Sequence, residues 1–220
     1  MKNYKLILFD LDGTLTDTQA GIVNSLRHAL KRLDLPPRET HELIPFIGPP
    51  LLDSFMKYCG LDEPLARKAI TIYREYYSRR GVYEATVYAG LPELLERLNR
   101  QGKKLVVATA KATYFAEKLL AHFKLDHHFS LIMGSNLDGT RANKAEVIAC
   151  ALQAAGNGRE SGPAIMVGDR KYDIRGAKAN GISAAAVTYG FGSREELAAA
   201  DPDFIASTIP ELAAILLERG

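Results

Sequence analysis

Lys5-Leu6-Ile7-Leu8-Phe9-Asp10-Leu11-Asp12-Gly13-Thr14-Leu15 is the stretch that decides the fold. Its first half is an unbroken apolar run of strand length that stops at a carboxylate, the pattern of a strand buried on both faces of a parallel sheet. Runs of the same kind recur at Lys104–Thr109, Ala164–Gly168 and Ser183–Thr188, with a weaker one at Leu131–Gly134. Helical patterns lie between them at Pro92–Gln101, Tyr114–Phe123, Lys144–Ala155 and Tyr172–Asn180, and Pro210–Arg219 reads as a closing helix. Gly102, Gly156 and Gly181 follow three of these helices, where a left-handed cap residue is expected. Strands alternating with helices predict an α/β fold, a Rossmann-like doubly wound parallel sheet.

Residues 16–84 break that alternation. Ile22, Leu26, Ala29, Leu30 and Leu33 repeat at helical spacing, as do Leu65, Ala69, Ile72 and Tyr76. Pro36-Pro37, Pro45 and Gly48-Pro49-Pro50 interrupt the helices. The expected organisation is a discontinuous core, 1–15 and 85–220, with a small helical domain of residues 16–84 inserted after the first strand.

Composition narrows the function without naming it. The chain has 220 residues, and its 28 basic and 26 acidic side chains leave a net charge of +2. With no long block of one sign, neither a nucleic-acid polymer nor a membrane is an expected partner. Cys59 and Cys150 lack zinc-ligand spacing and are expected to be buried free thiols. Met1-Lys2 leads into an apolar segment far too short for a signal-peptide core or a membrane span, so a cytoplasmic protein is the expectation. There is no GxxxxGK[ST] loop, no GxSxG elbow and no HExxH pair.

The chemistry sits at the strand ends. In an open α/β sheet, ligands bind beyond the carboxyl ends of the strands. Those ends here carry Asp10 and Asp12, then Thr109-Ala110-Lys111, then the loop running to Lys144, then Asp169 with Asp173 beyond. Clustered carboxylates repel: two unit charges about 4 Å apart cost roughly 4 kcal/mol at an effective dielectric of 20. A divalent cation resolves the conflict, and an all-oxygen set favours Mg2+. Asp10 and Asp12 share a face while the chain stays extended, so one can attack while the other handles a proton. Gly13 lets backbone amides approach an anion closely. Magnesium and Lys144 would offset the repulsion between an attacking carboxylate and a phosphate, and the Thr109 hydroxyl with adjacent amides, Ala110 among them, would hold the phosphoryl oxygens.

Asp10-Leu11-Asp12-Gly13-Thr14-Leu15 resembles the first motif of the haloacid dehalogenase-like hydrolases. Thr109 is similar to the second motif, Lys144 to the third, and Gly168-Asp169-Arg170-Lys171-Tyr172-Asp173 to the fourth, in order along the whole chain. The resemblance implies Asp10 as nucleophile, Asp12 as general acid and base, Asp169 as a magnesium ligand and Asp173 as a ligand or supporting group. It adds the main-chain carbonyl of Asp12 as a metal contact and makes 16–84 a cap that closes over the site. Lys111 and Arg170, beside these motifs, read as exposed, and Tyr73, Tyr76 and Tyr77 as cap packing.

The expected activity is therefore a magnesium-dependent phosphatase acting on a small phosphate ester. Asp12 argues against a dehalogenase, which does not carry that aspartate. A sugar phosphomutase is the alternative of another class, disfavoured by Thr14, where the mutases commonly have valine. Gly134–Lys144 and Phe46–Leu51 resemble a 5′-nucleotidase subgroup and its phosphoglycolate phosphatase relatives. A nucleoside 5′-monophosphate is the first expectation and phosphoglycolate the second. Gly48 and Pro49 are expected to face the leaving group, whereas Arg79, Arg80 and Lys57 read as solvated.

Overall fold

The computed structural model describes residues 3–156 and 162–217. In chain order the strands are β1 (Leu6–Phe9), β2 (Thr16–Asp17), β3 (Thr86–Val87), β4 (Lys104–Ala112), β5 (Leu131–Ser135), β6 (Ala164–Gly168), β7 (Ser183–Val187) and β8 (Phe204–Ala206). The α-helices are α1 (Gln19–Arg32), α2 (Thr40–Leu43), α3 (Leu51–Cys59), α4 (Glu63–Tyr77), α5 (Leu91–Arg100), α6 (Thr113–His122), α7 (Lys144–Ala154), α8 (Lys171–Ala179), α9 (Arg194–Ala199) and α10 (Ile209–Leu216). The last of these is the expected closing helix, whose residues 218 and 219 lie outside the described residues.

Six strands form a parallel sheet in the order β5-β4-β1-β6-β7-β8. The opening stretch lies at its centre, with Leu6 opposite both Lys104 and Ala164. Strand geometry sends alternate side chains to opposite faces. Ile7 and Phe9 accordingly enter one apolar cluster, with Leu94, Leu98, Phe115, Leu119 and Leu212 of α5, α6 and α10. Leu6 and Leu8 enter another, with Val147, Ile148, Ile174 and Leu197 of α7, α8 and α9. Helices on both faces are the doubly wound arrangement the apolar runs predict, and burial on both sides explains why those runs do not alternate. Gly102, Gly156 and Gly181 all have positive φ after their helices.

Helices α1 to α4 add no strand to this sheet. Chain exit and return are paired instead by an antiparallel ladder, Thr16 with Val87 and Asp17 with Thr86. Just beyond it α1 crosses the returning chain at contact distance: a Cβ on Gly21 would lie 1.9 Å from the Gly81 carbonyl oxygen. Asp62 caps α4 by accepting the Leu65 N–H at 2.9 Å. Ile22, Leu26 and Leu30 of α1 share a buried cluster with Ala66, Ala69, Ile72 and Tyr73 of α4. Cys59 and Cys150 are free thiols, half-buried rather than buried: Cys59 is the last residue of α3, and Cys150 lies off the buried face that Val147, Ile148, Ala151 and Leu152 form on α7. No helix among the described residues is long and apolar enough to cross a membrane.

Candidate active site

Asp10 continues the β1 ladder by one residue, its N–H donating to the Val167 carbonyl at 2.9 Å. Its carboxylate therefore emerges at the carboxyl edge of the sheet, where Oδ1 accepts the Leu11 N–H at 2.8 Å. The chain then turns through Gly13 at φ +82°, and a Cβ there would stand 2.2 Å from Asp169 Oδ2. Only glycine supplies both that backbone and that clearance. Asp169 is fixed on both oxygens, by the Thr14 hydroxyl at 3.3 Å and the Phe191 N–H at 2.7 Å.

Lys144 stands at the first position of α7, which Asn143 caps by accepting the Ala145 N–H. Its ammonium lies 2.8 Å from Asp10 Oδ1 and 2.8 Å from Asp173 Oδ1, and it donates to the Ala108 carbonyl at 3.2 Å. Asp173, in the first turn of α8, also accepts the Arg170 N–H at 3.0 Å. Asp10, Asp169 and Asp173 are buried, and each offers an oxygen within 4.8 Å of the others'. Asp10 and Asp173 thus share one ammonium, with Asp169 beside both carboxylates. Burial would lower the Lys144 pKa, but Asp10 and Asp173 hold it above its ordinary value. Burial, reinforced by Asp173 and Asp10, pushes Asp169 well above the carboxylate range. Burial also raises Asp173, to about 6, against the pull of Lys144. This desolvated oxygen set, with more negative charge than its single cation balances, suits a hard divalent cation.

Asp12 turns away from that cluster. Its Oδ1 accepts the Thr18 hydroxyl at 2.8 Å, and both its oxygens take the Lys111 ammonium, at 2.8 and 2.7 Å. Only its main-chain carbonyl, the atom the resemblance names, is left for a metal contact. Thr109 is buried, its Oγ1 accepting the Lys111 N–H at 3.3 Å. β4 changes register against β5 between Ala108 and Ala112, and this irregularity frees Thr109, Ala110 and Lys111 from the ladder beside Asp10.

Two sequence expectations fail here. Lys111 is not exposed: its side chain keeps 7% of its accessibility, paired with Asp12 and lying 4.9 Å from the centroid of the Tyr77 ring. Arg170 is not exposed either. Its side chain pairs with Glu196 at 2.9 Å and donates to the Ile47 carbonyl, so it ties the core to the Gly48 loop. Both cations sit beside strand ends, where sequence cannot show which carboxylate lies within reach. Lys111 does carry a signal, since it shares Thr109's face two residues on.

A cavity of about 370 Å³ opens above Asp10, Asp12, Thr109 and Ala110. Gly48 and Pro49 line its wall. Arg79, Arg80 and Lys57 are exposed and take no part in the lining. Tyr73 and Tyr77 are buried, stacked on each other at 5.4 Å, and line the cavity as well as packing the helices. Tyr76 instead donates to Glu84 at 2.8 Å. Arg74, which no sequence pattern marks, also lines the cavity and donates to the Leu137 carbonyl at 2.7 Å.

The chain matches the haloacid dehalogenase-like hydrolase family over residues 7–187. It is 45% identical over 213 residues to a 5′-nucleotidase of Pseudomonas aeruginosa, covering 97% of this chain and 96% of that one. It is 39% identical to the tyrosine-protein kinase PtkA of Mycobacterium tuberculosis, over 94% of this chain and 71% of that protein. A solved structure described as a predicted phosphatase from Clostridium acetobutylicum superposes with a TM-score of 0.93 at 44% identity, covering 98% of this chain and 99% of that one. With the aspartate-rich strand ends in place and these relatives beside it, the chain belongs to the haloacid dehalogenase-like hydrolases, on their phosphatase branch.

Proposed function

We propose that the protein is a magnesium-dependent phosphomonoesterase that passes the phosphoryl group through Asp10, with a nucleoside 5′-monophosphate as substrate. One observation carries the reading: Asp10 is buried beside Asp169 and Asp173 and held by the Lys144 ammonium at 2.8 Å, on the floor of a cavity. Asp10, Asp169 and Asp173, with the Asp12 carbonyl, would hold magnesium, which would screen the incoming phosphate's charge and draw electrons from phosphorus.

An Asp10 oxygen attacks phosphorus and the ester oxygen departs with a proton from Asp12, leaving an aspartyl-phosphate. Water then attacks that phosphorus, Asp12 takes its proton, and phosphate leaves with Asp10 restored. Thr18 and Lys111 fix the Asp12 side chain for both steps. The Thr109 hydroxyl, the Ala110 amide and Lys144 receive the phosphoryl oxygens, where charge builds in the transition state. The Gly13 N–H, expected to join them, instead donates to the Thr16 carbonyl at 2.8 Å, so Gly13 serves the site through its turn. Residues 16–84 act as the cap, and Arg170, through the Ile47 carbonyl, anchors its Gly48–Pro49 loop near the leaving group.

Cavity and wall favour a leaving group of nucleoside size. Ile47, Pro49, Leu51, Leu52 and Ile70 give it a broad apolar side that glycolate would leave largely uncovered. The P. aeruginosa relative is named a 5′-nucleotidase. In a phosphate-release panel with magnesium, nucleoside 5′-monophosphates are expected to exceed 2-phosphoglycolate and hexose phosphates in kcat/KM. Phosphoglycolate leading the panel would overturn the substrate, and isomerisation of a sugar phosphate without phosphate release would overturn the reaction.

The cluster's charge also sets a pH dependence. The folded Asp173 carboxyl is raised from 3.8 to about 6, so its contribution to the metal-free fold is fully present below the unfolded value and lost as pH rises through about 6. A divalent cation balances the same charge. Added magnesium is therefore expected to raise the melting midpoint more at about pH 7.5 than at about pH 5. Thermal melts with EDTA or magnesium at the two pH values check this; an equal shift at both would contradict it.

A further inference from the structure

Three cationic side chains line the cavity, and two are already engaged. Lys111 is held by both oxygens of Asp12, and Arg67 donates to Glu63 at 2.9 and 2.6 Å. Arg74 is different. It is half-buried, and among the described residues its side chain donates to the neutral Leu137 carbonyl and has no carboxylate partner. Burial lowers its pKa, opposed only by Tyr73. A guanidinium carries five N–H donors and no acceptor, so donors remain for a ligand.

Position along α4 says which part of a ligand that is. Arg67, Ile70, Arg74 and Tyr77 recur at helical spacing and all line the cavity. Tyr77 lies at the Asp12 end, under the Lys111 ammonium. Arg74 is three residues back, about 4.5 Å along the helix axis, and Ile70 and Arg67 lie farther still. Arg74 therefore meets the leaving group beyond the phosphate end. Leu137, whose carbonyl holds Arg74, is an exposed leucine that also lines the cavity, as do Ile70 and Leu51. Apolar side chains beside a donor-only edge suit a flat ring with oxygen and nitrogen acceptors on its rim. A second phosphate or a carboxylate would satisfy the guanidinium but leave those side chains uncovered.

We propose that Arg74 reads the nucleobase and selects rings that present oxygen rather than an amino group, 6-oxopurine over 6-aminopurine nucleoside 5′-monophosphates. This rests on the nucleotide reading above. An arginine fork matches adjacent O6 and N7 acceptors, whereas the 6-amino group turns a donor toward a donor. The site discriminates because Arg74's spare donors stay unpaired against the wrong ring.

The test compares inosine and adenosine 5′-monophosphates, alike in ribose and phosphate, on the unaltered enzyme and on Arg74→Met and Arg74→Lys. The unaltered enzyme is expected to favour inosine by about tenfold or more in kcat/KM, Arg74→Met to bring the ratio within about twofold of unity, and Arg74→Lys to fall between. A ratio compares two substrates on one preparation, so loss of folded protein cannot imitate the effect. Equal turnover of both nucleotides by the unaltered enzyme, a preference for adenosine, or a ratio that Arg74→Met leaves unchanged would overturn the inference and spare the nucleotide reading. Failure of both nucleotides while another phosphate ester is hydrolysed would overturn the two together.

Discussion

Asp10→Asn is expected to lower phosphatase turnover by about 10³-fold or more while leaving the fold intact. Asparagine has the shape of aspartate, but its amide cannot form the acyl-phosphate bond. The local electrostatics separate this loss from unfolding. Asp10 and Asp173 share one ammonium with Asp169 beside them, and the Asp10 charge helps raise both other carboxyls. Removing it relieves repulsion, and Lys144 keeps Asp173 at 2.8 Å. The metal-free variant is therefore expected to melt no lower than the parent protein. Steady-state phosphate release and a thermal melt on one preparation check both halves. Turnover within about tenfold of the parent would show that another group accepts the phosphoryl.

Lys144→Met should show the reverse pattern, losing stability and activity together. The side chain is 5% exposed and carries the ammonium that contacts both Asp10 and Asp173. Methionine fills much of the same volume but leaves buried carboxylates without their counter-charge, which costs about 3–5 kcal/mol when one partner of a buried pair is removed. Turnover is expected to fall by about 10²-fold or more, because a cation aimed at the transferring phosphoryl group is lost. Magnesium should recover part of the stability and little of the rate. Urea unfolding with and without magnesium, set beside phosphate release, checks the pattern. Unchanged stability would mean that the carboxylates are balanced by something other than Lys144.

The sheet was legible because burial on both faces writes itself as unbroken apolar runs, and Leu6–Phe9 is the clearest of them. The acidic cluster was legible because residues just past parallel strands share one edge, so Asp10, Lys144, Asp169 and Asp173 meet whatever the loops between them do. Side-chain pairing across long separations was not legible. Lys111 and Arg170 read as solvated because their partners, Asp12 and the Ile47 carbonyl, lie 99 and 123 residues away in the chain. Arg74 left no mark at all, since its place is set by how α4 lies over the Leu137 loop. Tyr77 shows how one residue can satisfy two readings: it is buried packing, and it also carries the Lys111 ammonium on its ring.

The most direct measurement is to quench the enzyme in acid during turnover and map the phosphoryl group by peptide mass spectrometry. The account expects one phosphoryl group on the peptide containing Asp10, at that residue, and none on the Asp10→Asn protein. A phosphoryl group on any other side chain, or none at all during steady turnover, would contradict it.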